Sequence, residues 1–364
     1  MRFLFINPGE SRHGSTYRAR GLCRLLRHRG HDVVYVESNH GDGQGVVSIE
    51  QADSISGYIR GTLRRCALSL TSNYDILYLQ KAWPLTVGCM VIAKVRRKRV
   101  FVDMDDLDSD WQTKVLRRCL MRWTERWMPK CVDRVTTHNR YLQHYLESTA
   151  RCRPVIIPQG IDTAVFDPRH YDKEREKKKL GLDGCRVLCF LGSFTVGSSG
   201  DLHVILEAMK EVEARRGDTC LLIIGGGGPL EGAYRDLIRD LGLKHVRITG
   251  RMPQGEVPRH LAACDMGLVF MEENRANTMR MSLKLIEYLS MELPVVGHTT
   301  GESDDVFGRY CVLCDPSPRA LAERVVEVLE GGNPRESARD FIVRHYDWEA
   351  IGTSQDAMVR HMAP

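Results

Sequence analysis

The chain has 364 residues, of which 43% are hydrophobic and 27% are charged, and its formal net charge is +5. This length is too great for one ordinary hydrophobic core, and this composition excludes a disordered or collagen-like chain, so we expect a globular protein of two domains. The N-terminus reaches Pro8-Gly9 too soon for a signal peptide, and the longest uncharged run, at 82–93, is too short to span a bilayer. We therefore expect a cytoplasmic protein.

Predicted strands and helices alternate along the first half of the chain. RFLFINP predicts a buried strand, and Gly14-Ser15-Thr16 opens an amphipathic helix that ends near Arg29. Further strands are predicted at DVVYVES, DILYLQ, VFVDMD, RVTTHN and PVIIPQG. The charged segment 167–184 contains turn-forming residues, which predicts a linker with a short solvated helix.

The second half repeats the alternation. Strands are predicted at CRVLCFLG, CLLIIGGGG, HVRITG, MGLVFM and LPVVG, with helices between and after them. This pattern predicts an α/β fold of two tandem, doubly wound, Rossmann-like domains, an N-terminal one over 1–168 and a C-terminal one over 184–341. Ligands bind beyond the carboxyl ends of parallel strands, so a site in the cleft between the domains is expected.

The cysteines predict a reduced protein. There are 12, without an export signal, which favours free thiols over a disulfide framework. Cys311 and Cys314 form a CxxC, but a second pair with that spacing is missing and the run is apolar. We interpret them as buried strand cysteines rather than as a metal or redox site.

The positive charge is concentrated in the first half, in 96–99 and at Arg117, Arg118, Arg122, Arg126 and Lys130. One interpretation is a solvated helix face. The other is attraction to an anionic partner, either a phosphate-bearing acceptor or a membrane surface. Nucleic acid is not expected, because no recognised binding motif or interleaved stacking aromatics accompany the charge.

The stretch 282–296, SLKLIEYLSMELPVV, is the best-defined candidate site. A helix starting near Ser282 presents unpaired backbone N–H groups and the positive end of its dipole, which suits a phosphate. Arg275, Arg280 and Lys284 add cations that oppose this dipole unless an anion binds. Glu287 follows Lys284 on the same helical face, where it either forms a salt bridge with Lys284 or accepts hydrogen bonds from a ribose diol.

Two glycine-containing loops are weaker signals. The run at 225–228 lies between a strand and a helix and predicts a tight turn, but Leu230 stands where a dinucleotide fingerprint requires its last glycine. Gly14 and Ser15 begin a helix, either as an N-cap or as a phosphate contact.

Five aspartates crowd one strand end: Asp103, Asp105, Asp106, Asp108 and Asp110. Three interpretations stay open. They are a metal site, a general base or acceptor-hydroxyl site, and capping of the next helix with pairing to nearby arginines. His138 and His245 also stand at strand ends, where a structural role is favoured.

At these residues the chain resembles a known family. LKLIEYLSMELPVVG is similar to the donor-site helix of retaining glycosyltransferases of the GT-B fold, family-four type. IIPQGIDTAVFDP, LLIIGGGGPLEG and ITGRMPQGEVPRHLAACDMGLVF resemble further family segments, and FVDMDDLDSDW resembles an Asp-rich strand end of some subgroups. HYDWEAIG resembles the start of a C-terminal helix that crosses back to the first domain, which would add 342–364 to that domain.

The resemblance implies roles for individual residues. Glu287 would bind the nucleotide ribose, Lys284 the diphosphate, and Arg251 and Met252 would lie by the base. Other donor contacts would be Gly192, Ser193, Gly226, Arg275, Met281 and Ser282. Arg280 and Asp103 would join Lys284 in catalysis, and the acceptor side would include Gly14, Ser15, Asp105 and Asp106.

The implied reaction is a retaining, metal-independent transfer of a hexose from a UDP-type or GDP-type nucleotide sugar, without a cofactor. The acceptor would be a glycan, a lipid-linked molecule or a small molecule. If the basic half contacts an anionic membrane, the protein would act at its inner face.

Three departures from the family pattern limit this inference. Met279 replaces a first glutamate, and Ser282 replaces a proline. Ser193 and Ser199 replace an Arg and a Lys that stabilise the leaving group. Either Arg275 and Arg280 compensate, or the chain is a catalytically reduced homologue that binds a sugar nucleotide or serves as a partner subunit. A sugar-nucleotide epimerase of the same fold is a third alternative.

Overall fold

The computed structural model describes residues 1–10, 14–39, 45–52, 54–331 and 336–354. The chain divides into two compact units. The first contains Met1–Gly160, the short segment Met279–Met281 and the residues from Trp348 onward, and the second contains Ile161–Thr278 and Ser282–Asp347. The segment between the boundaries expected from the sequence, 168 and 184, therefore groups with the second unit. The assignment of acceptor and donor to the two units stays a prediction.

The first unit is built on a seven-stranded parallel sheet of order β3-β2-β1-β4-β5-β6-β7. Its strands are β1 (Arg2–Glu10), β2 (Asp32–Ser38), β3 (Val46–Ile49), β4 (Ile76–Gln80), β5 (Arg99–Met104), β6 (Arg134–Thr137) and β7 (Val155–Ile156). Its first helices are α1 (Gly14–His28), α2 (Ile55–Thr71), α3 (Pro84–Val95), α4 (Val115–Cys131) and α5 (Arg140–Ala150), with a 3₁₀ turn at Asp108–Trp111. The central strands are buried along their length because helices cover both faces of the sheet.

The second unit has a six-stranded parallel sheet of order β10-β9-β8-β11-β12-β13. Its strands are β8 (Arg186–Gly192), β9 (Thr219–Gly225), β10 (Val246–Ile248), β11 (Met266–Phe270), β12 (Val295–His298) and β13 (Cys311–Leu313). The helices are α6 (Lys173–Lys179), α7 (Val196–Ser199), α8 (Leu202–Arg215), α9 (Glu231–Asp240), α10 (Val257–Ala262), α11 (Arg275–Thr278), α12 (Leu283–Ser290), α13 (Glu302–Phe307), α14 (Pro318–Leu329), α15 (Arg339–Tyr346) and, in the first unit, α16 (Trp348–Ser354). Both sheets confirm the predicted doubly wound α/β class.

Helix α16 returns to the first unit, as the predicted C-terminal crossing requires. Its first residue, Trp348, lies against Gly21 of α1 and Gly160. A Cβ atom at Gly21 would fall 2.1 Å from the Trp348 ring, and one at Gly160 would fall 2.4 Å from it. Both positions therefore need glycine so that the indole can pack at this depth.

Helix α6 differs from the prediction of a solvated helix in a linker. Lys177 is buried, and its ammonium group donates to Asp265 at 2.8 Å and to the Cys185 carbonyl at 3.0 Å. Lys173 pairs with the other oxygen of Asp265 at 2.6 Å. Lys173 and Lys177 thus anchor one side of this helix to Asp265, which lies far along the chain.

All 12 cysteines are free thiols. Cys311 is buried in β13, and Cys314 is half-buried just after it. Within the described ranges, no helix is long and apolar enough to cross a bilayer.

Candidate functional site

Helix α12 is held in place by its buried face and by its first residues. Ser282 occupies the N-cap position without a capping hydrogen bond from its side chain, and its backbone N–H donates to Ser303 Oγ at 3.1 Å. Tyr288 is completely buried, and its hydroxyl accepts a hydrogen bond from the Leu191 backbone at 2.7 Å. A Cβ atom at Gly267 in β11 would lie 2.6 Å from the Tyr288 ring, so glycine there allows the close approach. The helix is therefore fixed against the carboxyl end of β8.

Lys284 reaches from the first turn of α12 to the loop after β8. Its ammonium group donates to the Ser198 carbonyl at 2.9 Å and lies 4.1 Å from the centre of the Phe190 ring. An ammonium over an aromatic face is stabilised electrostatically. The result is a half-buried cation at the carboxyl edge of the second sheet.

Glu287 lies one turn further along α12 and is 5% exposed. Gln254 donates to its carboxyl group over a long 3.4 Å. Burial raises the pKa of Glu287 to about 8, although the Gln254 hydrogen bond and the Lys284 charge both act to lower that pKa. With this pKa the carboxyl group is mostly protonated at neutral pH. A hydrogen-bond donor that approaches it would favour the ionised carboxylate and lower its pKa.

The glycines at 225–228 form the turn between β9 and α9, all with positive φ. The Gly226 N–H donates to the Gly192 carbonyl at 2.9 Å, and the Phe194 N–H donates to the Gly227 carbonyl at 3.1 Å, so this turn is joined to the loop after β8. At Gly228, with φ of 131°, a Cβ would fall 2.5 Å from the Phe194 carbonyl oxygen. Glycine is therefore required for both conformation and space.

The loop after β8 contains the two serines that replace the cations of the family pattern. The Ser193 N–H donates to Ser198 Oγ at 3.2 Å, and Ser199 is buried with its hydroxyl donating to the Thr195 carbonyl. These hydrogen bonds close the loop on itself. Because Lys284 donates to the Ser198 carbonyl, its ammonium group is a cation that reaches this loop.

The chain after β10 borders the same edge of the sheet. Arg251 is exposed and lies beside the glycine turn, 3.4 Å from the Gly227 carbonyl, and Met252 is half-buried. Gln254, two residues on, contacts Glu287. The second unit thus brings Gly192, Ser193, Gly226, Arg251, Ser282, Lys284 and Glu287 to one edge of its sheet.

The remaining cations predicted for this site are placed differently. Arg275 begins α11 and is exposed. Arg280 belongs to the segment grouped with the first unit, where its guanidinium lies 5.0 Å from the centre of the Trp111 ring. Their contact with a ligand stays a prediction.

His138 holds the segment that carries Arg280, a role that the sequence did not reveal. Its Nε2 accepts a hydrogen bond from the Met281 N–H at 2.8 Å, and Asn139 donates to the Met279 carbonyl at 2.8 Å. Burial and the nearby charge of Arg18 lower the pKa of His138 to about 3. A neutral imidazole is required here, because a protonated Nε2 could not accept from Met281.

Asp103 corrects an expectation. It was predicted to be catalytic, but it is fully buried, and four donors saturate its carboxylate. Arg18 donates to both oxygens at 2.7 and 2.8 Å, while Gln80 and Thr136 donate at 3.0 and 2.6 Å. An acid without a vacant acceptor position or solvent access acts as a structural anchor.

The next aspartates surround Lys81, a contact that no local sequence pattern indicates. The Lys81 ammonium lies 2.9 Å from Asp105 and 2.9 Å from Asp108, and their charges keep its pKa well above the ordinary value. Lys81 has a φ of 68°, a strained conformation for a residue with a side chain, and the buried ion pairs offset that cost. Pairing with a cation therefore explains most of the acidic strand end.

Asp106 is the least satisfied of these acids. Its Oδ1 is buried and has no hydrogen-bond partner among the described residues. Burial and the neighbouring carboxylates raise the pKa of Asp106 to about 7. In the described part of the chain, no three His, Cys, Asp or Glu side chains are grouped to hold a metal ion.

A second carboxyl group with a raised pKa lies behind this strand end. Glu125 of α4 is buried and accepts a hydrogen bond from the Ser109 N–H at 2.8 Å. Burial raises the pKa of Glu125 to about 7.

The predicted phosphate loop at Gly14 and Ser15 starts α1. The burial and side-chain contacts of these two positions lie outside the described part of the structure.

Two family models match the chain. The model for "Glycosyltransferase Family 4" matches residues 13–165, and the model for "Glycosyl transferases group 1" matches residues 185–331. Between them they span most of the chain, one in each half.

The chain is also similar to curated proteins in sequence and to solved structures in fold. The chain is 33% identical over 202 residues to the GDP-mannose-dependent alpha-(1-6)-phosphatidylinositol monomannoside mannosyltransferase of Mycolicibacterium smegmatis, covering 54% of this chain and 51% of that protein. It is 26% identical to the GDP-mannose-dependent monoacylated alpha-(1-6)-phosphatidylinositol monomannoside mannosyltransferase of Corynebacterium glutamicum, covering 61% of this chain and 60% of that one. The chain thus spans about half to three-fifths of the length of these curated relatives. The sucrose-phosphate synthase of Thermosynechococcus elongatus superposes with a TM-score of 0.78 over 100% of this chain and 99% of that chain, at 15% identity, a likeness of fold alone.

Proposed function

The chain belongs to the family-four glycosyltransferases of the group 1 type, and from this membership we propose that it transfers a sugar from a nucleotide-sugar donor to an acceptor. The donor would bind at the edge of the second sheet where α12 begins. Following the family, the transfer would retain the anomeric configuration and would need no metal ion.

The observation that carries this proposal is the pairing of Lys284 and Glu287 on one face of α12. Glu287 is a buried acid that, among the described residues, receives one long hydrogen bond, from Gln254. A ligand with two adjacent hydroxyl groups would supply further hydrogen bonds to it. Lys284 lies one turn closer to the helix start, where the backbone dipole also favours an anion. A nucleotide sugar has the matching arrangement, because its diphosphate would lie at Lys284 and the helix start while its ribose diol would lie one turn further on, at Glu287.

Stabilisation of the departing diphosphate would depend on Lys284. The family pattern supplies an Arg and a Lys from the loop after β8, where this chain has Ser193 and Ser199. The Lys284 ammonium reaches that loop from α12 through its bond to the Ser198 carbonyl. We propose that Lys284 compensates for the missing cations by stabilising negative charge on the leaving group, with Arg275 and Arg280 as further candidates.

The relatives suggest the donor and the acceptor. Two of them are named as GDP-mannose-dependent enzymes that act on phosphatidylinositol monomannosides. We propose a GDP-linked hexose, mannose in the first instance, as the donor and a lipid-linked glycan as the acceptor. The acceptor would bind the first unit, and the protein would work at the periphery of a membrane.

A second candidate is a catalytically reduced homologue that binds a sugar nucleotide without turnover. The replacements at Ser193, Ser199 and Met279 favour it, because they remove two cations and one carboxylate of the family pattern.

Thermal unfolding with UDP-, GDP- and dTDP-sugars, followed by donor hydrolysis and transfer assays, tests both proposals. A ligand at about 100 times its dissociation constant adds about 2.7 kcal/mol of stability, which gives a clear shift. Slow release of GDP and mannose by wild type, lost in Lys284→Met, supports the transferase. Tight donor binding without hydrolysis or transfer to any acceptor supports the reduced homologue.

A further inference from the structure

Exposed hydrophobic side chains are concentrated on three helices of the first unit. Most of the large apolar residues that are exposed among the described residues lie on α2, α3 and α4. They are Ile55, Ile59, Leu63, Leu70, Val91, Val95, Val115, Leu116, Leu120 and Trp123. Several of these side chains are almost fully exposed to solvent, with exposed fractions of 82% for Ile55 and 78% for Val95. We call this set and the basic residues between its members the α2–α4 face.

The three helices form one continuous surface. α2 packs against α3, and α3 packs against α4. Right-handed crossovers from β3 to β4, β4 to β5 and β5 to β6 would put all three helices on one side of the first sheet. On α2, the residues Ile55, Ile59 and Leu63 recur every fourth position, which aligns them in one stripe along the helix. An apolar area of this extent is rare on a monomeric soluble protein unless something covers it.

The charge on this face has a single sign. Its exposed cations are Arg60, Arg64, Lys94, Arg117, Arg122, Arg126 and Lys130. The acid in these three helices is Glu125, which is buried and so does not lie on the exposed face. Two of these cations pair with acids just outside the helices, Lys94 with Asp133 at 2.7 Å and Arg122 with Asp110 at 3.3 Å. The face therefore combines exposed aliphatic and indole groups with a charge that is positive on balance.

The combination of apolar and cationic side chains on the α2–α4 face favours some binding partners over others. A second copy of the chain would place the same cations opposite one another, and that repulsion opposes a symmetric dimer. An anionic bilayer accepts both components, because apolar side chains enter the headgroup boundary while Arg and Lys pair with lipid phosphates. Trp123 suits the interfacial level, where an indole has one apolar and one wet side.

We propose that the α2–α4 face docks the first unit onto an anionic phospholipid membrane. The consequence for catalysis rests on the proposed function, since docking would hold the acceptor-binding unit at the surface where a lipid-linked acceptor resides. The docking itself needs neither donor nor acceptor, so it can be tested separately.

Vesicle flotation of the full chain tests the proposal. The wild type is compared on vesicles of phosphatidylcholine and of an equal mixture with phosphatidylglycerol. The apolar variant is Leu116→Ser with Leu120→Ser, and the charge variant is Arg122→Glu with Arg126→Glu. Matched controls in the second unit are Val343→Ser, at 37% exposure, and Arg175→Glu with Lys178→Glu on α6. All of these side chains are exposed, and unchanged thermal unfolding verifies the fold of each variant.

We expect binding to the anionic vesicles, weakening as salt rises. The apolar variant should bind at least about tenfold more weakly. Each lost cation should cost roughly fivefold. The proposal would be overturned if the wild type and both face variants bound the anionic vesicles equally well. It would also be overturned if the wild type bound the phosphatidylcholine vesicles but not the anionic ones. A wild-type dimer that the apolar variant converts to monomer would overturn it as well, because the face would then be a contact between copies. Intact vesicle binding with no thermal shift from any nucleotide sugar would contradict the proposed function and support the docking face.

Discussion

The Arg18 guanidinium and the Asp103 carboxylate form a two-point ion pair from which solvent is excluded. Both side chains are completely buried, at N–O distances of 2.7 and 2.8 Å. Arg18 also donates to the carbonyls of Ile157 and Pro158, so one side chain links α1, the end of β5 and the end of the first sheet. The pair therefore sets the geometry of the strand ends around it.

Replacing Asp103 by Asn is predicted to destabilise the protein by about 3–5 kcal/mol, because Arg18 would be left as a buried charge without its counter-ion. Denaturant unfolding at neutral pH measures this. The matched control is Asp236→Asn, whose ion pair with Arg239 is exposed and should contribute less than about 1 kcal/mol. If both variants lost the same free energy of unfolding, the buried Arg18–Asp103 pair would contribute no more to stability than an exposed ion pair.

Glu125 predicts a pH dependence of stability. Its pKa in the folded state is about 7, above the ordinary value of 4.5. The folded state keeps Glu125 protonated at pH values where the unfolded chain has already lost that proton. The free energy of unfolding is therefore highest below about pH 4.5 and falls as the pH rises to about 7. Glu125→Gln keeps the acceptor for Ser109 and removes the charge. We expect it to be more stable than wild type at pH 8, by an amount of the order of 3 kcal/mol, and nearly equal at pH 4.

Glu287 predicts proton release on donor binding. Its pKa is raised to about 8, so the free protein is largely protonated there at pH 7. A ribose diol donates two hydrogen bonds best to a carboxylate, so binding should lower the pKa and release close to one proton. Calorimetric titration with GDP-mannose in buffers of different ionisation enthalpy measures this number.

Glu287→Gln is the matched variant for that titration. It should bind the donor more weakly and release no proton. The same proton release from both proteins would remove Glu287 from the donor site.

Lys284 predicts an effect on turnover. Lys284→Met keeps an unbranched apolar stem beside Phe190 but removes the cation, and it should lower kcat on the order of a hundredfold with a smaller change in KM. Lys284→Arg should retain part of the activity, and Lys210→Ala on the exposed side of α8 serves as the control. A Lys284→Met enzyme that changes in KM alone would place the lysine in ground-state binding only.

Local patterns predicted the framework of the fold. Buried strands such as β4 are continuous apolar runs, and the helix at α12 begins at a recognisable cap and ends before the next strand. The glycines at 225–228 predicted a tight turn, which the positive φ angles confirm. These features depend on residues close together in the chain.

The polar interior was not predictable in the same way. Arg18 and Asp103 are far apart in sequence, as are His138 and Met281, and only the tertiary fold brings each pair together. Asp103 was assigned to catalysis because an acid at a strand end often faces a ligand, whereas its four donor atoms come from Arg18, Gln80 and Thr136 on three different elements. Lys81 gave no local signal at all, since its acidic partners follow the next strand.

Transfer of labelled mannose from GDP-mannose to membrane lipid extract tests the central claim most directly. We predict a labelled glycolipid with wild type, a loss on the order of a hundredfold with Lys284→Met, and unchanged transfer with Lys210→Ala. If wild type and Lys284→Met gave the same labelled product at the same rate, transfer through the α12 site would be contradicted.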